Sequence, residues 1–204
     1  AFSLVSKNGY FAKNFLIFFI RYLFGLIRKE DIYKELHAQI EKIKETDIEI
    51  THLDSHQYIH MLPGIFNIFL KLAQEFNIPF IRLPFIPLDR RFFLGKAELS
   101  RKLYQLVLNV FCLFYRPMLK RKGINFYRYS FGFLESGHLS FENLKTILAS
   151  LGNGVCELVC HPAEEVGDLK SLIGYWGYHW QKELDILLSD TTRIWLENLA
   201  LGRY

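Results

Sequence analysis

Between residues 48 and 84 the chain runs IEITHLD, then GIFNIFLKLAQEF, then IPFIRLP. The outer two segments are short, apolar and partly β-branched, in the style of buried strands. The middle one, residues 64–76, opens just after Pro63 with its apolar residues at helical spacing. Strand, helix, strand at this spacing constrains the fold more than any other feature, because strands joined through a helix run parallel. The order recurs further on. SFENLKTILASLGNG reads as a helix with Ser140 as N-cap and a stop at Gly152 or Gly154, and GVCELVCHP, residues 154–162, reads as the strand that follows.

Other helices are predicted over residues 30–45, where Ile32, Leu36, Ile40 and Ile43 keep helical spacing, and over the final WQKELDILLSD. A long helical pattern begins at Glu98 and is expected to break or kink at Pro117. The tail RIWLENLALGRY shows no clear pattern. The expected fold class is α/β with a mostly parallel sheet, in a single domain of 204 residues. Such sheets place their chemistry at the carboxyl ends of the strands.

Composition narrows the classes. Half the residues are apolar and 16% aromatic, which excludes a disordered tail. The formal charge of +4 is spread along the chain without a nucleic-acid signature. Three cysteines, with Cys156 and Cys160 four apart, match neither a zinc nor a C-x-x-C pattern. They read as free thiols of a reducing compartment, so a cytoplasmic location is expected. FLIFFIRYLFGLI, residues 15–27, is too short to span a bilayer, is interrupted by Arg21 and lacks a following cleavage site. It is predicted to pack on a core. A helix lying on a membrane surface is the alternative, because Arg21, Arg28 and Lys29 flank an aromatic-rich face.

The densest polar motif is THLDSHQYIH, residues 51–60. In a strand, His52 and Asp54 share a face. If the chain then turns into a helix, His56 and His60 come within one turn of each other and can take a divalent cation between them. His161, at the end of its strand, is open to three roles: ligand, general acid or helix-start residue. A Cys160–His161 nucleophile pair is disfavoured because adjacent strand side chains diverge. His37, His138 and His179 stand alone in the sequence and are read as surface or satisfied core histidines. No G-x-S-x-G, P-loop or G-x-G-x-x-G occurs.

THLDSHQYIHMLPGIF resembles the signature of the YdjC-like carbohydrate deacetylases, roughly H-L-D-S/G-H-x-H-x-H-x-x-P, and CELVCHPAEEVGD resembles that family's later C-H-P segment. SLVSKNGYF, FGFLESGHLS and KELDILLSD fit the same family, so the resemblance covers nearly the whole chain. SGHLS leans toward the branch associated with hopanoid lipids. The resemblance implies a barrel-like (β/α) deacetylase fold, a divalent metal (magnesium or zinc) and hydrolysis of the N-acetyl group of an amino sugar. It implies that His56 and His60 are metal ligands, that His161 is a catalytic general acid or an active-site wall, and that Asp54 is a catalytic-site carboxylate orienting His52 or His56. Two departures stand out. Tyr58 replaces a histidine of the motif, and the family's N-A-D-D-F-G and G-x-H-L segments are missing, as if the first strand-helix units were absent. The expected partner is an acetylated amino sugar, with a homodimer as a further expectation. An inactive truncated remnant and a membrane-surface or partner-binding protein are the alternatives.

Overall fold

In the computed structural model, residues 2–12, 14–89, 92–93, 95, 97–164, 177–197 and 199–202 are described. They form two compact units: residues 1–82 with 114–126, and residues 83–113 with 127–204. Each is built on one β-α-β unit.

In the first unit, β1 (His52–Leu53) and β2 (Phe80–Ile81) pair in parallel, His52 opposite Phe80 and Leu53 opposite Ile81. Asn125 adds a parallel bridge to Phe80. The crossover is α3 (Ile65–Glu75), which starts from Gly64. Its apolar residues recur at helical spacing, so Ile65, Phe66, Phe69, Leu72 and Ala73 are all buried. α2 (Lys29–Lys44), also of this unit, carries Glu30 and Asp31 in its first turn and Lys42 and Lys44 in its last, in line with the helix dipole. Tyr33 and His37 from this helix bond Glu75 of α3, at 2.6 and 3.1 Å.

The expected strands 48–54 and 78–84 are thus longer than the ladder, which holds two residue pairs. Residues 47–49 are exposed, with Ile48 68% exposed, so burial gives that stretch no reason to extend. α1 (Phe15–Leu23) begins at Asn14, whose Oδ1 accepts the Ile17 N–H. It has no buried residue, so only one side of it meets the expectation of packing on a core.

In the second unit, β3 (Tyr129–Phe131) and β4 (Cys156–Leu158) pair in parallel through three residues. Their crossover, α5 (Phe141–Ala149), starts at Ser140, whose Oγ accepts the Asn143 N–H at 3.1 Å. It ends before the glycines at 152 and 154. The core gathers Ile86, Phe131, Leu139, Leu144, Ile147 and Ile186. α6 (Trp180–Leu188) leads into α7 (Asp190–Leu196), where Ser189 accepts the Thr192 N–H and gives structure to the unpatterned tail.

α4 (Leu99–Arg121) gives its residues up to Leu113 to the second unit and those from Phe114 to the first. It runs through Pro117 without ending there. Leu119 is fully buried, and the Tyr115 ring stacks on Phe66 at 3.7 Å. Burial at about 1.5–3 kcal/mol per large side chain offsets the roughly 3 kcal/mol of an interior proline. No helix among the described residues is long and apolar enough to cross a membrane.

Candidate functional site

Both polar clusters stand where parallel strands end. In the first unit, Asp54 and Ser55 follow β1, and Arg82 follows β2. Arg82 pairs through its guanidinium with Asp54 Oδ2, and its backbone N–H donates to Leu53 at 3.1 Å. Asp54 Oδ1 is buried with no hydrogen-bond partner.

The chain then turns through a kinked 3₁₀ segment, His56–Met61, in which Gln57 and Tyr58 take φ of 52° and 53°. Two successive non-glycine residues in the left-handed region cost about 1–2 kcal/mol each. They also separate His56 from His60. The expected shared helical face does not form: His56 is exposed, while His60 is fully buried.

Both ring nitrogens of His60 are engaged. A carbonyl only accepts, so Nε2 carries the hydrogen and donates to the Arg82 carbonyl at 2.9 Å. Nδ1 then accepts from the Ser55 hydroxyl at 2.7 Å, and Ser55 Oγ accepts the His60 backbone N–H at 2.9 Å. Burial pushes the His60 pKa below 6.5; Asp54 and the Arg82 carbonyl pull upward, and burial outweighs them. With the ring neutral, the 3.8 Å approach of Asp54 Oδ1 to Nδ1 is not an ion pair. A cavity of about 190 Å³ in this unit is walled by His52, Asp54, Ile40 and Phe69.

In the second unit the organising group is Glu183 of α6, 1% exposed. Its Oε1 accepts the Leu139 N–H at 3.1 Å and its Oε2 the His161 N–H at 2.7 Å, so one carboxylate ties the SGHL turn to the C-H-P segment. Around the Tyr178 ring lie His161 at 5.1 Å and His138 at 6.3 Å between ring centroids. His138 and His179 sit edge to face at 5.1 Å. The Ser136 hydroxyl lies 2.9 Å from the Tyr178 hydroxyl, and the His179 N–H donates to Gly137 O at 2.8 Å. Gly137, at φ 75°, is required here, since a Cβ on it would come within 2.1 Å of the Tyr178 ring. Burial, then His179 and Arg101, hold the His138 pKa below 6.5 against Glu183 and Glu98.

His138 and His179, read as lone histidines, therefore join His161. The missed signal was a histidine two residues before the Ser140 cap and another just before a helix start. Arg82 was missed as well, inside a segment taken only for its apolar residues. His37 keeps its structural reading between Glu41 and Glu75. Burial, and then Glu183, push the Cys160 thiol upward, away from the thiolate a nucleophile needs. Residues 165–176, which include the end of the CELVCHPAEEVGD segment, lie outside the described residues.

Asp54 Oδ1 is an orphaned acceptor and His56 is exposed near it in sequence. His60 has both nitrogens committed in this conformation, and among the described residues no three of His, Cys, Asp and Glu gather as a metal set.

Comparison with known proteins bears on both clusters. The family described as YdjC-like protein matches residues 2–198. A carbohydrate deacetylase of Thermoanaerobacter pseudethanolicus is 26% identical over 183 residues, covering 90% of this chain and 59% of that protein. A carbohydrate deacetylase of Brevibacillus brevis is 40% identical over 57 residues, 28% of this chain and 23% of that protein. A crystal structure of an Enterococcus faecalis V583 protein, described as acting in cellobiose-phosphate cleavage, superposes with a TM-score of 0.67 at 20% identity. That match covers 96% of this chain and 64% of the other, and shows the fold. The chain thus spans less than two thirds of these relatives' length.

Proposed function

Because the chain belongs to the YdjC-like protein family, we propose that it hydrolyses the N-acetyl group of an amino sugar. The observation that carries this is the placing of its two polar clusters at the carboxyl ends of parallel strands, in a chain whose relatives are named carbohydrate deacetylases. Water adds to the amide carbonyl, the C–N bond breaks, and acetate and a free amine leave.

In the second unit, the His161 imidazole donates a proton to the departing nitrogen as a general acid. Glu183 positions it through the His161 backbone. Tyr178 walls the ring, and His138 stands against Tyr178 in turn. In the first unit, Asp54 presents its unbonded Oδ1 while Arg82 holds the other oxygen. His60 braces that arrangement by bridging Ser55 and Arg82 in one fixed tautomer. A divalent cation, magnesium or zinc, belongs to the proposal with Asp54 and His56 as this chain's donors. Such an ion supplies carbonyl polarisation and a more acidic water.

The test is product analysis. Incubated with an N-acetylglucosamine disaccharide and either cation, the protein should release acetate and a free amino sugar. Cleavage of the glycosidic bond with the acetyl groups intact would overturn the proposal.

A further inference from the structure

The histidines of this chain differ in what holds their rings. His60 has both nitrogens in hydrogen bonds, and His37 stands between the carboxylates of Glu41 and Glu75. His138 and His179 are held otherwise. Both are exposed, and among the described residues no hydrogen bond or ion pair reaches either ring. Their rings nonetheless lie together, with centroids 5.1 Å apart and planes at 71°. The backbone brings them there. The His179 N–H donates to the Gly137 carbonyl at 2.8 Å, and the His138 N–H to the Glu135 carbonyl at 2.7 Å. Glu183 accepts the N–H of Leu139, next to the first histidine, and its own N–H donates to the His179 carbonyl at 3.0 Å. The Ser136 and Tyr178 hydroxyls, 2.9 Å apart, join the same two segments again. Backbone and carboxylate thus fix the two imidazoles side by side, with their nitrogens uncommitted.

Two adjacent imidazoles with uncommitted nitrogens are donors for a metal ion of the zinc type. Imidazole suits zinc, copper and nickel, whereas magnesium prefers oxygen. A zinc ion bonded to two imidazoles at about 2.0–2.1 Å, with a tetrahedral angle between them, holds the ring centroids about 5 Å apart. The rings of His138 and His179 already stand at that separation. The surrounding charge favours a cation, since the carboxylates of Glu98 and Glu183 act on His138 against the one guanidinium of Arg101. We propose that His138 and His179 together bind a zinc ion in the second unit, with water completing its shell, through donors other than Asp54 and His56. Two histidines are fewer than the three protein ligands of a catalytic zinc site, so the ion exchanges with solution. This stands apart from the deacetylase proposal, and its readout involves no sugar.

The test is titration of the full chain with zinc chloride in a calorimeter, in a His56→Ala background that removes the histidine assigned to the first unit. That protein should bind about one equivalent of zinc. Adding His138→Ala or His179→Ala should weaken the binding about tenfold or more, since even the loss of a residue behind a metal ligand costs about 10–100-fold. Magnesium chloride should not compete for the pair. Both side chains are exposed, so these variants should keep an unchanged circular dichroism spectrum. A second measurement needs no variant. Diethyl pyrocarbonate acylates exposed imidazoles, and zinc should slow its reaction at His138 and His179 together, read by mass spectrometry of their peptides. Zinc binding that survives His138→Ala/His179→Ala unchanged would overturn the proposal. So would the absence of zinc binding in the His56→Ala background, or acylation of the two rings at the same rate with and without zinc. None of these outcomes depends on acetate release.

Discussion

The two strand-end clusters use histidine in opposite ways. At the end of β1, the histidine-rich motif becomes architecture. His60 is fully buried, neutral and bonded at both nitrogens, and its loop is bent through two left-handed residues. Beyond β4, a carboxylate does the tying: Glu183 takes two backbone N–H groups, and the imidazoles of His138 and His161 both meet Tyr178 at steep angles. The denser motif in sequence thus has one of its histidines locked away, and the sparser one builds a cluster of rings. A count of histidines per segment does not measure how many are chemically available.

The largest effect should come from removing the tie of the second cluster. Glu183→Ala leaves two buried N–H groups without their acceptor, at about 1–3 kcal/mol each, and urea unfolding should show a loss of roughly 2–6 kcal/mol. A loss under about 1 kcal/mol would mean that water reaches those donors. Next is Gly137→Ala. Its Cβ would meet the Tyr178 ring at 2.1 Å from a backbone at φ 75°, whereas Gly177, at φ 70°, has nothing within 4 Å. Gly137→Ala should therefore cost about 2–4 kcal/mol and Gly177→Ala about 1–2, the difference being overpacking. Equal costs would show that Tyr178 is not held where it lies.

In the first cluster, His60 should make stability depend on pH. Its folded pKa lies below its unfolded value of 6.5, so the unfolded chain binds the proton first. Its stabilisation is complete above pH 6.5 and is lost as pH falls below that, by at most about 1.4 kcal/mol per pH unit. Denaturation across that window should show a shallower slope in His60→Gln. An unchanged slope would place the proton elsewhere. The smallest effect is Gln57→Gly. Relieving the left-handed strain should raise stability by about 0.5–1 kcal/mol in the same assay. A loss there would mean that the Gln57 side chain matters more than its backbone.

Much of this fold was legible in the sequence. Ser140 marked the start of α5, the spacing of Ile32, Leu36 and Ile40 marked α2, and Pro63 stood just before α3. Strand lengths were not, because apolar residues at 48 and 50 look the same whether or not a neighbour pairs with them. The course of α4 through Pro117 was hidden for a related reason, since burial of Tyr115 and Leu119 appears only once the partners are known. In the site, the strand-end positions of Asp54 and His161 could be read from the β-α-β order. The kink at Gln57 and Tyr58 could not, as neither residue is a usual left-handed former. Nor could the grouping of His138, His161 and His179, which depends on Glu183 drawing distant segments together.

The most direct test of the central claim is the rate of acetate release from an N-acetylglucosamine disaccharide by wild-type protein and by His161→Gln, with divalent cation present. If the imidazole of His161 delivers the proton to the leaving amine, the variant should fold normally and lose about a hundredfold or more in rate. A His161→Gln protein that releases acetate at the wild-type rate would contradict that assignment.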